Sequence, residues 1–148
     1  MLRLAPVLIA AVLATALPVR AQHMNEKDSP CAGVVVTSDL VQCLIKAGEV
    51  ADAKLNTAYK GIRGKLDGTE LKQLVATQRL WIQYRDANCA AERELYGGGT
   101  GGPPTFLACI EAMTRACTKE LAVTYAVRMK LNRQHCFQKR SCGRYPRI

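Results

Sequence analysis

The sequence predicts an all-α fold: a small disulfide-stapled helical bundle built as a long helical hairpin plus a third helix. Three observations predict it. Through the middle of the chain apolar residues recur at alternating spacings of three and four, the period of an amphipathic helix and not of a strand. Two interruptions, Asp67-Gly68 and the run from Gly97 to Pro104, cut that pattern into three segments. Cysteines lie downstream of an N-terminal segment laid out like an export signal, and exported thiols generally pair.

The signal comes first. Arg3 precedes an uncharged apolar run from Leu4 to Leu17, then Pro18 and the small-residue site Val19-Arg20-Ala21, so residues 1–21 are expected to be a signal peptide cleaved after Ala21. The run is about 14 residues, short of the ~20 that a bilayer span needs, and no later stretch reads as a transmembrane segment. The first cysteine, Cys31, stands well beyond the cleavage point, which argues against a lipid anchor. The mature chain is therefore expected to be soluble and periplasmic or secreted, with a short leader at 22–30, a helical domain at 31–125 and a basic, cysteine-containing tail at 126–148.

Thr37-Ser38-Asp39 offers N-caps for a long first helix whose apolar face runs through Leu40, Leu44, Ala47, Ala51, Leu55, Tyr59, Ile62 and Leu66. Gly48, Gly61 and Gly64 each weaken it by roughly 1 kcal/mol relative to Ala, which places its end between Gly61 and Asp67. Thr69-Glu70 caps a second helix with Leu71, Leu74, Gln78, Trp81, Arg85 and Cys89 on one face, and this helix is expected to pack back on the first as a hairpin. Trp81, flanked at helical spacing by apolar residues, reads as core. Tyr96 leads into the glycine and proline run, which disfavours a helix and is expected to form a loop protruding from Tyr96 to Thr105. Pro104 can occupy the first turn of a third helix carrying Leu107, Ile110, Met113, Cys117 and Leu121. Beyond Tyr125 the periodicity fades.

The formal charge of +9 is unevenly placed. From Cys31 to Tyr125 eleven basic residues face ten acidic ones, whereas the tail holds Arg128, Lys130, Arg133, Lys139, Arg140, Arg144 and Arg147 with no acidic residue. Such a tail is either a solvated end or an attachment to anionic envelope polymers, and export argues against nucleic acid as its partner.

The seven cysteines are the strongest physical constraint. A bridge between Cys89 and Cys109 would close the glycine loop and fix two helices side by side, worth about 3 kcal/mol on the chain-entropy view for a loop of ~20 residues. Cys31 and Cys43 suit a local bridge around the first helix start. Position alone leaves three connectivities open for these four. Cys136 with Cys142 would close a small basic ring and leave Cys117 single, and Cys117 with Cys136 is the alternative. His135 beside Cys136 lacks the spacing of a four-ligand metal site, so no metal or other cofactor is expected.

Asp52 and Arg85 lie on or near the packed faces of their helices, with Asn56 one turn beyond Asp52 and Gln78 two turns before Arg85. Buried charge is costly unless paired, so this set is expected to form a polar clasp between helices in preference to an acid/base site. Catalysis has little else to stand on. His23 and His135 fall outside the helical domain, no serine sits in a nucleophile motif, and the glycine run lacks both the lysine and the preceding strand of a phosphate-binding loop. Glu92 and Glu94 occupy different helix faces, unlike the paired carboxylates of a glycosidase. The chain is not expected to be an enzyme.

Ala51-Asp52 with Leu55-Asn56, then Gln78-Arg79, Trp81-Ile82, Arg85-Asp86 and Cys89, then Gly97-Gly98-Gly99-Thr100 and Cys109 form an ordered set of motifs. Together they resemble the lysozyme-inhibitor LprI-like N-terminal domain family over about 90 residues, Cys31 to Leu121, whose cysteines fall at Cys31, Cys43, Cys89 and Cys109. The resemblance implies an exported, disulfide-stapled helical domain that inhibits a lysozyme-type glycosidase. One departure stands out: where the family usually carries an arginine in the third helix, this chain has Cys117. The target-binding candidates are Arg93, Tyr96, Gly97, Gly98, Gly99 and Thr100, a loop anchored at its base. The plain alternative is an interhelix connection. A basic lysozyme would be repelled at long range by the basic tail, an effect the near-neutral domain softens. The other functional reading is an envelope adaptor or structural protein docking through its tail.

Overall fold

The turn between the first two helices falls where the glycines weaken the chain. In a computed structural model, which describes residues 23–130, α1 spans Thr37–Arg63, α2 spans Gly68–Glu94 and α3 spans Gly102–Thr124. Gly64 closes α1 by donating its N–H to Lys60, and Gly68 takes a φ of +46° to start α2, a conformation only glycine adopts cheaply. Neither α1 nor α2 has a side-chain cap. Val36 and Asp67 stand at the N-cap positions, so Thr37-Ser38-Asp39 and Thr69-Glu70 are already inside helix and their exposed first-turn amides are left to solvent. Among the described residues a 3-10 turn, His23–Asn25, precedes α1.

The buried faces match the periodicity closely. Leu44, Ala51, Leu55, Ile62 and Leu66 are buried, with Leu40, Ala47 and Tyr59 half-buried between them. On the second helix Leu74 and Cys89 are buried, while Leu71, Gln78, Trp81 and Arg85 are half-buried.

α3 departs from expectation. Leu44 clusters with Ala108, and Leu55 and Ile62 cluster with Cys117 and Leu121, so α1 and α3 run parallel. Cys89 meets Cys109, Arg85 meets Thr114 and Gln78 meets Cys117, so α2 runs antiparallel to α3. The expectation that α2 packs back on α1 as a hairpin is therefore corrected: α3 packs along both helices and takes the place each was expected to fill for the other. Small residues at Ala108, Ala112 and Thr114 let the neighbours approach, and Thr105, Glu111 and Thr114 are buried as well.

Two disulfides staple this arrangement. Cys31 bridges to Cys43, tying the chain before α1 to its second turn, and Cys89 bridges to Cys109, tying the end of α2 to the start of α3. Cys117 is buried and bridges to no cysteine among the described residues. Residues 1–22 and 131–148 lie outside the described part, and with them the expected signal peptide, His135, Cys136, Cys142, Arg133, Lys139, Arg140, Arg144 and Arg147. No described helix is long and apolar enough to cross a membrane.

Candidate functional site: a stapled turn and an interhelix polar cluster

Helix α2 ends at Glu94 and α3 begins at Gly102, with only seven residues between them. The expected protrusion to Thr105 is shorter in the fold. Pro103 and Pro104 sit in the first turn of α3, and Thr105 is buried with its hydroxyl donating 2.8 Å to the Gly101 carbonyl. What remains is a chain of tight turns: Gly97 donates to Glu94, Gly99 to Tyr96 at 2.8 Å and Gly102 to Gly99 at 3.0 Å. Gly97 and Gly98 take φ of +54° and +81°.

Glycine is needed at the base of this turn for space as much as for backbone freedom. A Cβ on Gly101 would fall 2.5 Å from two ring carbons of Tyr96, so the half-buried tyrosine ring lies over Gly101. The aliphatic stem of Arg93 stands 3.4 Å from where a Cβ on Gly102 would be. Arg93 and Tyr96 are thus partly structural, while Gly97, Gly98, Gly99 and Thr100 are exposed at the end of the bundle. The Cys89–Cys109 bridge lies beneath them, fully buried.

The polar cluster centres on Arg85. Its side chain is 15% exposed and reaches Asp86 at 2.8 Å, the Thr114 hydroxyl at 3.1 Å and Asp52 at 3.7 Å, and its guanidinium lies 5.1 Å from the centre of the Trp81 ring. The structure brings Arg85 and Asp52 together, although Asp52 is exposed and supplies the longest of the three polar contacts. Gln78 is directed to α3, its amide donating to the Cys117 sulfur at 3.8 Å. Asn56 is exposed and lines, with Gln78, a groove of about 310 Å³ between α1 and α2. Burial pushes the Cys117 thiol above its ordinary pKa.

Sequence reasoning missed the docking of the leader. Arg115 on α3 pairs with Asp28, with Glu26 at 3.5 Å and with Glu111 at 3.1 Å. The Arg115 hydrogen bond holds the Asp28 carboxyl below the usual carboxylate range. His23 hydrogen-bonds Glu26 at 2.7 Å and approaches Glu92 at 3.5 Å. The one available signal was charge: Glu26 and Asp28 in the leader complement Arg115. His23, Glu92 and Cys109 place potential ligand atoms within 4.8 Å of one another, but the Cys109 sulfur is bonded to Cys89 and offers no thiolate to a metal. Glu92 turns inward toward Asn88 and Cys109 while Glu94 is exposed, so the two carboxylates do not face one substrate. Of the basic tail, Arg128 is paired with Glu70 and Lys130 is exposed.

No solved structure matches the chain. An uncharacterized protein of Rhizobium meliloti (strain 1021) is 28% identical over 133 residues, covering 81% of this chain and 94% of that protein. The family described as lysozyme inhibitor LprI matches residues 30–121, a span that takes in both bridges, most of the three helices and the stapled turn, and the chain belongs to that family.

Proposed function

We propose that this protein is an exported binding protein that inhibits lysozyme or another peptidoglycan-cleaving glycosidase, and that the turn between α2 and α3 is its contact surface. The observation that carries the first part is the match to an inhibitor family across the stapled helical body. The second part is supported by the build of the turn. Exposed glycines at 97–99 and Thr100 sit on a buried disulfide, backed by Tyr96 and Arg93, so little ordering entropy is left to lose on entering a cleft. In this reading Tyr96 sets the shape of the turn and Arg93 supplies a cation toward the acidic residues that glycosidases carry in their clefts.

The test is inhibition of cell-wall clearance by a panel of lysozymes and bacterial muramidases, titrated with the oxidised mature protein. Saturable, stoichiometric inhibition of at least one enzyme is expected, with the variant Arg93→Glu/Tyr96→Ala at least tenfold weaker. Full potency in that variant discards the turn as the contact surface. A panel left uninhibited by the natural protein discards the inhibitor reading.

A further inference from the structure

The leader, α1 and α3 enclose a second groove, of about 600 Å³, on a different face from the stapled turn. Its floor is apolar: Ala47, Val50 and Ala51 of α1, with Val50 54% exposed although it faces into a concavity. Its walls are fixed. The Cys31–Cys43 bridge holds one end, and the Arg115 pairs with Asp28 and Glu111 hold the leader against α3. Those pairs tie both lining carboxylates to Arg115, whose one positive charge offsets one of them, and with Lys46, Lys54 and Lys119 the lining holds four basic groups against two acidic ones, an excess of positive charge. Lys46, Lys54 and Lys119 remain on the rim, and none of them takes part in an ion pair among the described residues.

An apolar floor under unmatched ammonium groups fits a ligand with an apolar body and an anionic end. Size and hydrogen bonding distinguish between candidates. The volume falls in the range of about 300–1,000 Å³ typical of small-molecule sites, whereas a docked helix is about 10 Å across. An extended peptide laid on Ala47, Val50 and Ala51 would meet no side-chain donor or acceptor in that floor, and of the polar side chains that α3 contributes to the lining, Glu111, Arg115 and Thr118 are already bonded within α3 or to the leader. Lys46 and Lys54 are eight residues apart, about 12 Å along the helix axis, so an acyl chain has room to lie between them over Val50. Because α1 and α3 run parallel, and Leu55 shares a core cluster with Cys117 and Leu121, Lys54 and Lys119 stand toward the same end of the groove.

We propose that this groove binds a single-chain anionic amphiphile, a fatty-acid carboxylate, with its chain on Ala47, Val50 and Ala51 and its carboxylate between Lys54 and Lys119. The proposal does not depend on the inhibitor reading.

Titration calorimetry of the full mature chain with octanoate, decanoate and dodecanoate, each below its micellar concentration, tests it. One saturable site per chain is expected, tightening about two- to fourfold per buried methylene until the groove is filled. Dodecanol and dodecyltrimethylammonium should bind at least tenfold more weakly. Lys54→Glu/Lys119→Glu should weaken dodecanoate at least tenfold, and Val50→Trp, which fills the floor, should abolish binding. All three positions are exposed, so an unchanged helical circular dichroism signal is expected in both variants. No saturable binding of dodecanoate, equal binding of dodecanol, or equal binding by the charge-reversed variant would each overturn the proposal, as would binding of an acidic apolar peptide in place of the fatty acid.

Discussion

α2 and α3 are nearly equal in length and lie side by side, yet they are held in opposite ways. α3 buries residues on several faces, from Gly102 and Thr105 through Ala108, Glu111, Ala112 and Thr114 to Leu121. α2 buries only Leu74 and Cys89, and leaves Leu80, Tyr84 and Ile82 exposed. Between its two buried residues it meets α3 through polar and sulfur contacts: Gln78 to Cys117, Arg85 to Thr114 and Asn88 toward Met113. A central helix is stabilised by close packing on more than one side, whereas a peripheral one can be held by a few strong points. The proposed contact turn joins the two kinds of helix, and its position depends on those points.

The largest effect is therefore expected at Leu74, which is 1% exposed. Leu74→Ala should cost about 2–5 kcal/mol, through lost transfer energy and the cavity left in the cluster with Leu55, Ile62 and Leu121. Leu80→Ala on the same helix, 66% exposed, should stay within about 0.5 kcal/mol. Urea denaturation of both variants measures the contrast. Equal costs would mean that the outer face of α2 is covered in solution.

Removing the second strong point comes next. Cys89→Ala/Cys109→Ala opens a bridge that spans 20 residues and should cost about 3 kcal/mol. Inhibition of a target enzyme should fall with it even well below the urea midpoint, since the turn loses its base while Leu74 still holds the other end of α2. Inhibition that tracks only global unfolding would show that the turn is ordered without the bridge.

Between these points the polar contacts are unequal, and smaller. Arg85→Met should cost about 1–2 kcal/mol, because a buried hydroxyl on Thr114 loses its charged partner. Asp52→Ala should cost less than about 1 kcal/mol, because that carboxylate is half in water and 3.7 Å away. A double-mutant cycle with coupling near zero for Asp52 and Arg85, and clearly positive coupling for Arg85 and Thr114, would place the clasp between α2 and α3 and not between α1 and α2.

The same contrast explains what the sequence discloses. The buried stripes of α1 and α2 follow from periodicity because each helix buries one face with large apolar residues, Leu44, Leu55 and Leu74 among them. The cysteines at 31, 43, 89 and 109 pair locally, as their positions around helix ends suggest. α3 hides its second buried face because alanine and threonine carry little hydropathy, so Ala108, Ala112 and Thr114 do not register beside Leu107 and Ile110. Glycine at 101 and 102 reads as loop, whereas here its lack of a side chain lets the start of α3 approach Tyr96 and Arg93. Leader docking has no periodic signature at all, since Asp28 and Arg115 are 87 residues apart.

That docking gives the smallest effect and depends on pH. Asp28 titrates below an unfolded aspartate because Arg115 bonds its charged form. A group whose folded pKa is depressed contributes stability above its unfolded pKa and loses it as pH falls through the folded one. The leader should thus be docked near neutrality and released in acid. Hydrogen-exchange protection of the Ser29 amide, bonded to Glu26, and of Ala32, bonded to Ser29, should fall between about pH 6 and about pH 2.5 after correction for intrinsic rates. Glu26 and Glu111 also face Arg115, and His23 lies against Glu26 and Glu92, so the assignment to one carboxylate needs a variant. Asp28→Asn should lower protection near pH 6 toward the acid value while leaving the urea midpoint of the helical body unchanged. If protection in the natural protein does not change with pH, the leader is held by the Cys31–Cys43 bridge and the packing of Met24 against the Leu44 cluster, and Arg115 is incidental to it.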